Sequence, residues 1–175
     1  MVELDQNCLF FSGDVTSDSA MEFTKALLQF ERNNANLSEP QPLKVYIDSY
    51  GGAAYCGINM AMEVRRLAKA GYRTEAHNAG TVASAATLPY LACDQRFMHD
   101  GLTFLAHQPN TRAWGLADDM AHVAERLAVL HEWQIAFYAK RLSKTEKQVK
   151  KMLDWSKDRY YGKPWCREHN IVTED

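Results

Sequence analysis

Predicted strands that alternate with amphipathic segments constrain the fold of this chain more than any other feature. Residues 8–11 are a short apolar run typical of a buried strand, and residues 43–47 and 72–77 are predicted to be the next two strands. Each is followed by a turn and then by apolar residues at helical spacing. Three such units in succession are typical of parallel crossover connections, so the sequence predicts an α/β layered fold.

Turn and cap residues indicate where the helices of these units begin and end. Ser17 or Asp18 is expected to cap the first helix, and Gly71 is expected to end the second. The third helix is expected to start near Ser84. It contains Pro89, which removes a backbone hydrogen bond and should kink or shorten the helix.

The second half of the chain predicts two short strands and two helices. The strands are expected at residues 95–99 and 103–107, and the helices at 116–142 and 143–153. The longer helix would span roughly 38 Å, more than a domain of this size needs for its own core. Trp133, Phe137 and Tyr138 widen its apolar surface, which indicates that part of it packs on another subunit.

Length and composition are those of an ordinary globular chain. The 175 residues suffice for one domain, expected to span residues 1–175, and 46% of them are hydrophobic. A net charge of −2 gives nucleic acid no general electrostatic attraction, and no apolar run reaches membrane-spanning length. The acidic N-terminal residues are unlike a signal peptide, so we expect a cytoplasmic protein that binds neither nucleic acid nor membrane.

The potential metal ligands are scattered along the chain. The four cysteines are far apart and are expected to be reduced, packed thiols: Cys8, Cys56, Cys93 and Cys166. His122 and Glu125 share a helix face, but such pairs are more often solvated than metal-bound. We therefore expect neither a metal site nor a cofactor.

Ser84 and His107 carry the strongest chemical signal. Ser84 lies in the small apolar stretch Gly80-Thr81-Val82-Ala83-Ser84-Ala85-Ala86-Thr87-Leu88, where the free N–H groups of a helix start would surround its hydroxyl. A hydroxyl that attacks a carbonyl needs a base for its proton and N–H donors for the oxyanion, and His107 could be that base. The same residues are also compatible with close helix packing and a buried core histidine.

Sequence spacing does not identify the acid of such a triad, because triad members meet only in space. Four aspartates follow His107 and are candidates: Asp118, Asp119, Asp154 and Asp158. The order serine, histidine, acid differs from the orders in α/β-hydrolases, chymotrypsin and subtilisin, and the chain has no Gly-x-Ser-x-Gly motif. Those families are therefore disfavoured.

Three motifs resemble those of the proteolytic subunit of the Clp protease, a family of serine peptidases. The family's strand followed by Ser-Pro-Gly-Gly is matched by Ile47-Asp48-Ser49-Tyr50-Gly51-Gly52. Its motif Gly-x-x-Ala-Ser-Met-Gly-Ala is matched by the stretch around Ser84, and its His-Gln-Pro motif by His107-Gln108-Pro109. Lys157-Asp158-Arg159-Tyr160 lies where the family has Arg-Asp and an aromatic residue.

The resemblance implies a catalytic site. Ser84 would be the nucleophile, His107 the general base and Asp158 the residue that orients the imidazole. The backbone N–H groups of Gly51 and Ala85 would form the oxyanion hole.

The resemblance also implies how substrate and subunits are arranged. An extended peptide would pair with main chain at Gly52, Ala53 and Ala54 and near Asn110. The fold would be the repeated strand-strand-helix spiral that Clp proteolytic subunits share with crotonases, with the long helix as a protruding handle. Heptameric rings stacked in pairs would enclose the serines in a chamber that admits short or unfolded polypeptides.

The chain departs from the family pattern in several places. Tyr50 replaces the family's proline, Ala86 its glycine, and Pro89 an apolar residue. The family's N-terminal axial segment, which contacts an AAA+ ATPase unfoldase, is expected to be missing because the first core strand begins by residue 8. An AAA+ unfoldase is therefore the implied partner that the residues support least.

Two other functions are compatible with the residues. The altered serine motif would suit a non-catalytic structural subunit of the same ring. A crotonase-like enzyme acting on acyl-thioesters would share the strand-helix spiral without needing the serine. The sequence favours a serine endopeptidase that acts inside a homo-oligomeric ring.

Overall fold

The computed structural model describes residues 1–153 and 159–174. The chain forms two compact units, one made of Met1–Leu105 and Arg159–Asp175 and the other of Ala106–Asp158. The first unit contains a sheet with helices, and the described part of the second consists of a loop and two helices.

The first unit is organised around a sheet that has six strands among the described residues. These are β1 (Val2–Asp5), β2 (Cys8–Ser12), β3 (Leu43–Ser49), β4 (Thr74–Ala83), β5 (Gln95–Met98) and β6 (Thr103–Leu105). The spatial order is β1-β2-β3-β4-β5, and β6 also pairs with β4. All pairs are parallel except β1 with β2. The α/β prediction is confirmed, whereas β1, a short edge strand that turns back through Gln6, was not predicted.

Strand β4 is longer than predicted because it pairs with two neighbours in turn. Its residues 75–78 pair with β5, and its residues 81–83 pair with β6. Asn78 lies where the partner changes. Its Nδ2 donates to the carbonyl of Thr103 at 2.8 Å, and its Oδ1 accepts the N–H of Gly80 at 3.1 Å. The stretch expected as a loop is therefore strand, and β4 ends directly at Ser84.

Two long helices, α1 (Ser17–Asn34) and α2 (Ala54–Lys69), follow β2 and β3. The cap of α1 is Thr16 rather than Ser17 or Asp18. Thr16 Oγ1 accepts the N–H of Ser19 at 3.2 Å, and Ser19 Oγ accepts the N–H of Thr16 at 2.9 Å. The core draws on both helices and on alternate residues of β3, among them Phe23, Leu27, Phe30, Leu43, Val45, Ile47, Met60, Val64 and Leu67.

Four stacked rings cross one face of the sheet. Phe10, Tyr46, His77 and Phe97 have successive ring centroids 5.1, 4.5 and 4.7 Å apart. Burial lowers the pKa of His77, although Glu75, whose Oε2 lies 3.5 Å from the imidazole Nε2, acts in the opposite direction. The stacked side chains of Phe10, Tyr46, His77 and Phe97 cover this face of the sheet.

The helix expected to carry Ser84 is divided into two pieces. A single 3₁₀ turn, Ser84–Ala86, is followed by α3 (Thr87–Ala92), whose residues are all buried. Pro89 falls in the first turn of α3, where its missing N–H would have no intrahelical partner. The predicted shortening of this helix is confirmed.

A buried arginine holds the C-terminal segment of the first unit, which includes the short helix α6 (Lys163–Glu168). Arg96 is 3% exposed, and its guanidinium donates to the carbonyls of Cys93, Asn170 and Ile171 at 2.8 to 2.9 Å. Further upstream, Phe104 and Tyr161 exchange backbone hydrogen bonds of 2.8 and 2.9 Å as an antiparallel bridge. The segment that follows residue 158 is thereby fixed beside β6.

The second unit contains α4 (Ala117–Leu142) and α5 (Glu146–Leu153), close to the predicted bounds. Helix α5 begins at Glu146 and not at the predicted residue 143, and Thr145 shares reciprocal hydrogen bonds with Gln148 at this start. Tyr138 is fully buried within the chain, and Trp133 and Phe137 are partly buried. The expectation that these three side chains extend an exposed surface is therefore wrong for Tyr138.

Residues 1–153 and 159–174 contain no cluster of three or more His, Cys, Asp or Glu side chains suited to a metal ion. His122 and Glu125 are both largely exposed and lie 3.8 Å apart. None of the helices described there combines the length and apolar character needed to cross a bilayer.

Candidate active site

The turn after β3 is held against Val15, in the connection between β2 and α1. The carbonyl of Gly51 accepts the N–H of Val15, and the N–H of Ala53 donates to the carbonyl of Val15, both at 2.8 Å. Gly51 and Gly52 have φ values of +97° and +145°, a conformation that residues with a Cβ rarely adopt. The predicted glycine turn is therefore present and rigidly placed.

Ser84 has an unusual backbone conformation. Its φ is +53°, in the left-handed region that serine seldom occupies. Such strain is often found at functional residues, including serine nucleophiles on sharp strand-to-helix turns. Ser84 is partly exposed between the buried Ala83 and Ala85, so its side chain is the accessible group of this turn.

Gly51, Ser84 and Ala85 are in direct contact. A methyl group placed on Gly51 would lie 2.6 Å from Ser84 Cβ and 2.9 Å from the nitrogen of Ala85. The contact arises because β3 and β4 are parallel neighbours, so that the turns at their carboxyl ends meet at one edge of the sheet. The structure thus brings together the proposed nucleophile and the two proposed oxyanion donors.

The Gly51 N–H has a partner in this structure. It donates to Oγ of Ser49, a buried serine, at 3.0 Å. An oxyanion that accepts the Gly51 N–H would have to share it with the Ser49 hydroxyl or replace that hydroxyl as the acceptor. Sequence reasoning did not single out Ser49, although a serine two residues before a glycine is a familiar turn signal.

The residues expected to pair with substrate differ in how many of their backbone N–H and carbonyl groups already form hydrogen bonds within the chain. The Ala53 N–H donates to Val15, its carbonyl accepts the N–H of Gly57 at 3.1 Å, and Ala54 begins α2. Gly52 forms a parallel bridge with Val15, and in such a bridge its own N–H and carbonyl point away from that partner. Gly52 is therefore the best placed of the three to pair with another strand.

His107 lies in the second unit, two residues after β6. Its Nδ1 is 2.7 Å from the carbonyl oxygen of Gln108 and 3.2 Å from Nδ2 of Asn110. Gln134, a buried residue of α4, donates from Nε2 to the His107 carbonyl at 3.0 Å. Residues of its own loop therefore contact the imidazole, and Gln134 of α4 holds the backbone of His107.

Two of the four candidate acids lie within the described residues. Asp118 and Asp119 lie in the first turn of α4 and are exposed, and Asp119 Oδ2 accepts the Leu116 N–H at 3.0 Å as a helix cap. Asp154 and Asp158 lie outside the described residues. The role of Asp158 therefore stays a prediction.

Comparisons with known proteins by family, by sequence and by structure each cover most of the chain and agree with one another. A family described as Clp protease matches residues 2–163. The ATP-dependent Clp protease proteolytic subunit 2 of Treponema denticola is 29% identical over 173 residues, which cover 98% of this chain and 82% of that protein. A mutant of ClpP1 from Listeria monocytogenes superposes with a TM-score of 0.80 at 20% identity, covering 95% of this chain and 89% of that one. At that identity the superposition speaks for the fold, and it agrees with the predicted strand-helix spiral.

Proposed function

The chain belongs to the Clp protease family and is a serine-type endopeptidase, and on this premise we propose that Ser84 is its nucleophile in a ring assembly that cleaves short or unfolded polypeptides. The observation that carries the proposal is the contact of Ser84, Ala85 and Gly51 at the carboxyl ends of β3 and β4. A partly exposed hydroxyl in strained backbone, beside two backbone N–H groups, suits attack on a carbonyl.

In the proposed reaction, His107 accepts the proton of Ser84 Oγ as the oxygen attacks the carbonyl carbon of the scissile peptide bond. The carbonyl oxygen becomes an oxyanion that the N–H groups of Ala85 and Gly51 stabilise. The Gly51 N–H then donates to the oxyanion in place of Ser49 Oγ. The protonated imidazole then donates to the leaving amine as the C–N bond breaks. Water hydrolyses the acyl-enzyme by the same steps, which returns the proton to Ser84.

We prefer Asp158 to Asp154 as the orienting acid on the sequence motif alone. Lys157-Asp158-Arg159-Tyr160 matches the family's Arg-Asp followed by an aromatic residue, and Asp154 lies outside that motif.

Fluorophosphonate labelling tests the proposed nucleophile directly. An alkyl fluorophosphonate should modify the protein at one site per chain, and peptide mapping should place the adduct on Ser84. Ser84→Ala should take up no label while keeping the wild-type circular dichroism spectrum. A folded protein that takes up no label would instead support the non-catalytic structural subunit.

We further propose that the exposed part of α4 joins two heptameric rings. Exposed apolar side chains lie just before α4, at Trp114 and Leu116, and within it, at Met120 and Val129, with Val129 66% exposed. Large apolar side chains left exposed in this way often mark an interface. The name of the treponemal relative contains the words ATP-dependent, which also suggests an ATPase partner for this chain. This is a separate proposal, and the cleavage of unfolded peptides does not depend on it.

A charge placed on this surface should separate the rings. Val129→Glu would bury an unpaired carboxylate against a partner's apolar surface, which costs several kcal/mol, so the particle mass measured by light scattering should halve. Met21→Glu is the control, because Met21 is also exposed, at 57%, but lies on α1. A wild-type protein that cleaves peptides as a monomer of 19.9 kDa would show that no ring is needed.

A further inference from the structure

The environment of His107 Nδ1 determines which nitrogen of the imidazole carries the proton. Contacts of His107 within the described part of the second unit include two to its ring and one to its backbone. The Gln108 carbonyl lies 2.7 Å and the Asn110 carboxamide 3.2 Å from Nδ1, and Gln134 donates to the His107 carbonyl. The contact with Gln134 holds the backbone, and the other two involve the ring itself.

The contact with the Gln108 carbonyl constrains the tautomer. A carbonyl oxygen only accepts hydrogen bonds, so a separation of 2.7 Å requires a proton on Nδ1. In a neutral imidazole, a proton on Nδ1 leaves the lone pair on Nε2. That is the tautomer that can accept a proton from a serine hydroxyl.

Asn110 can strengthen or oppose this tautomer according to which end of its carboxamide faces the ring. Nδ2 facing Nδ1 would donate to a lone pair there and would favour a proton on Nε2, which is unsuitable for a general base. Rotation of the carboxamide by 180° presents Oδ1, which accepts the same Nδ1–H that Gln108 accepts. Since the Gln108 contact already requires the proton on Nδ1, the second arrangement is the consistent one.

We propose that Asn110 is a positioning residue for the general base, whose Oδ1 accepts the Nδ1–H of His107 together with the Gln108 carbonyl. The loop then orients the imidazole before substrate binds, and an acid that bonds the same Nδ1–H takes the place of one of these two acceptors. This role differs from the main-chain pairing with substrate expected near Asn110. It rests on the proposed function of His107 as the base.

Nitrogen-15 NMR of histidine-labelled protein tests the tautomer without relying on activity. The His107 resonances are assigned from the signals that disappear in His107→Gln, and are read in mildly alkaline solution, where free imidazole side chains are neutral. The wild type should show a protonated Nδ1 and an unprotonated Nε2. Asn110→Ala should show a mixture of the two tautomers.

Steady-state kinetics with a short peptide substrate tests the consequence. Asn110→Ala should lower kcat by about fivefold to tenfold, the loss of roughly one hydrogen bond, with KM nearly unchanged. Asn110→Asp offers only acceptor oxygens and should keep kcat within about twofold of the wild type. Thr111→Ala is the control, because Thr111 bonds the Arg112 carbonyl in the same loop.

The outcomes separate the two proposals. If wild-type His107 carries its proton on Nε2, or if Asn110→Ala changes neither spectrum nor kcat, Asn110 has no positioning role, whatever the activity of the protein. Recovery of kcat by Asn110→Asp together with the tautomer shift in Asn110→Ala supports it. A wild-type protein that takes up no fluorophosphonate label contradicts the proposed function itself, and the NMR result still decides the state of the ring.

Discussion

Replacing His107 with alanine is expected to lower kcat/KM for a peptide substrate by about a thousandfold or more, while the protein stays folded. Without the imidazole, no base accepts the proton of Ser84 and no acid protonates the leaving amine. His107 is partly exposed and lies in a loop, so the substitution removes little core packing. Peptide hydrolysis and circular dichroism measured on the same preparation provide the test.

Three further variants make this result specific. His99→Ala removes another histidine, an exposed one after β5, and should leave hydrolysis unchanged. Asp158→Asn should cause a loss similar in kind to that of His107→Ala, because the imidazole would lose its orienting acid. If Asp154→Asn proves the damaging change, the match of Lys157-Asp158-Arg159-Tyr160 to the family motif is out of register. Full activity in His107→Ala would remove His107 from the mechanism altogether.

Apolar patterning predicted much of the sheet because strand residues that face the core are apolar at alternate positions. Residues 43–47 are an example: Leu43, Val45 and Ile47 of β3 are fully buried, whereas Lys44 and Tyr46 between them are partly exposed. Strand β1 was missed because its sequence, Val-Glu-Leu-Asp, alternates at an edge and buries little. The extension of β4 was missed because Asn78 and Gly80 resemble turn residues, whereas in the structure the strand continues past them to pair with β6 at residues 81–83.

The site shows the same division between local pattern and tertiary contact. The proximity of Gly51 and Ser84 could be anticipated, because both follow parallel strands and turns at strand carboxyl ends lie together. The positive φ of Ser84 depends on how the turn after β4 packs, which no sequence period encodes. The bond from Gly51 N–H to Ser49 Oγ is local, and the serine two residues before the glycine is a signal that could have indicated it. The contacts of His107 with Asn110 and Gln134 depend instead on a loop folding back and on a helix 27 residues away.

Changing Gly51 to alanine is expected to reduce kcat/KM by at least about a hundredfold and to lower the free energy of unfolding by roughly 2–6 kcal/mol. The added methyl would lie 2.6 Å from Ser84 Cβ and 2.7 Å from the Ala83 carbonyl oxygen, and both atoms are held by the backbone. The backbone at φ +97° also disfavours any residue with a Cβ. Either the turn or the serine must move, and the two N–H donors would then no longer converge on one oxygen.

Gly71→Ala separates this steric effect from the cost of the backbone conformation. Gly71 has nearly the same φ, +96°, but a methyl group there would meet nothing within 4 Å. It should therefore lose only about 1–2 kcal/mol of stability and keep wild-type kcat/KM. The two variants are compared by chemical denaturation, peptide hydrolysis and fluorophosphonate labelling. Equal activity in both would mean that the contact between Gly51, Ser84 and Ala85 plays no part in catalysis, because the substitution that disrupts it would cost no more than one in open space.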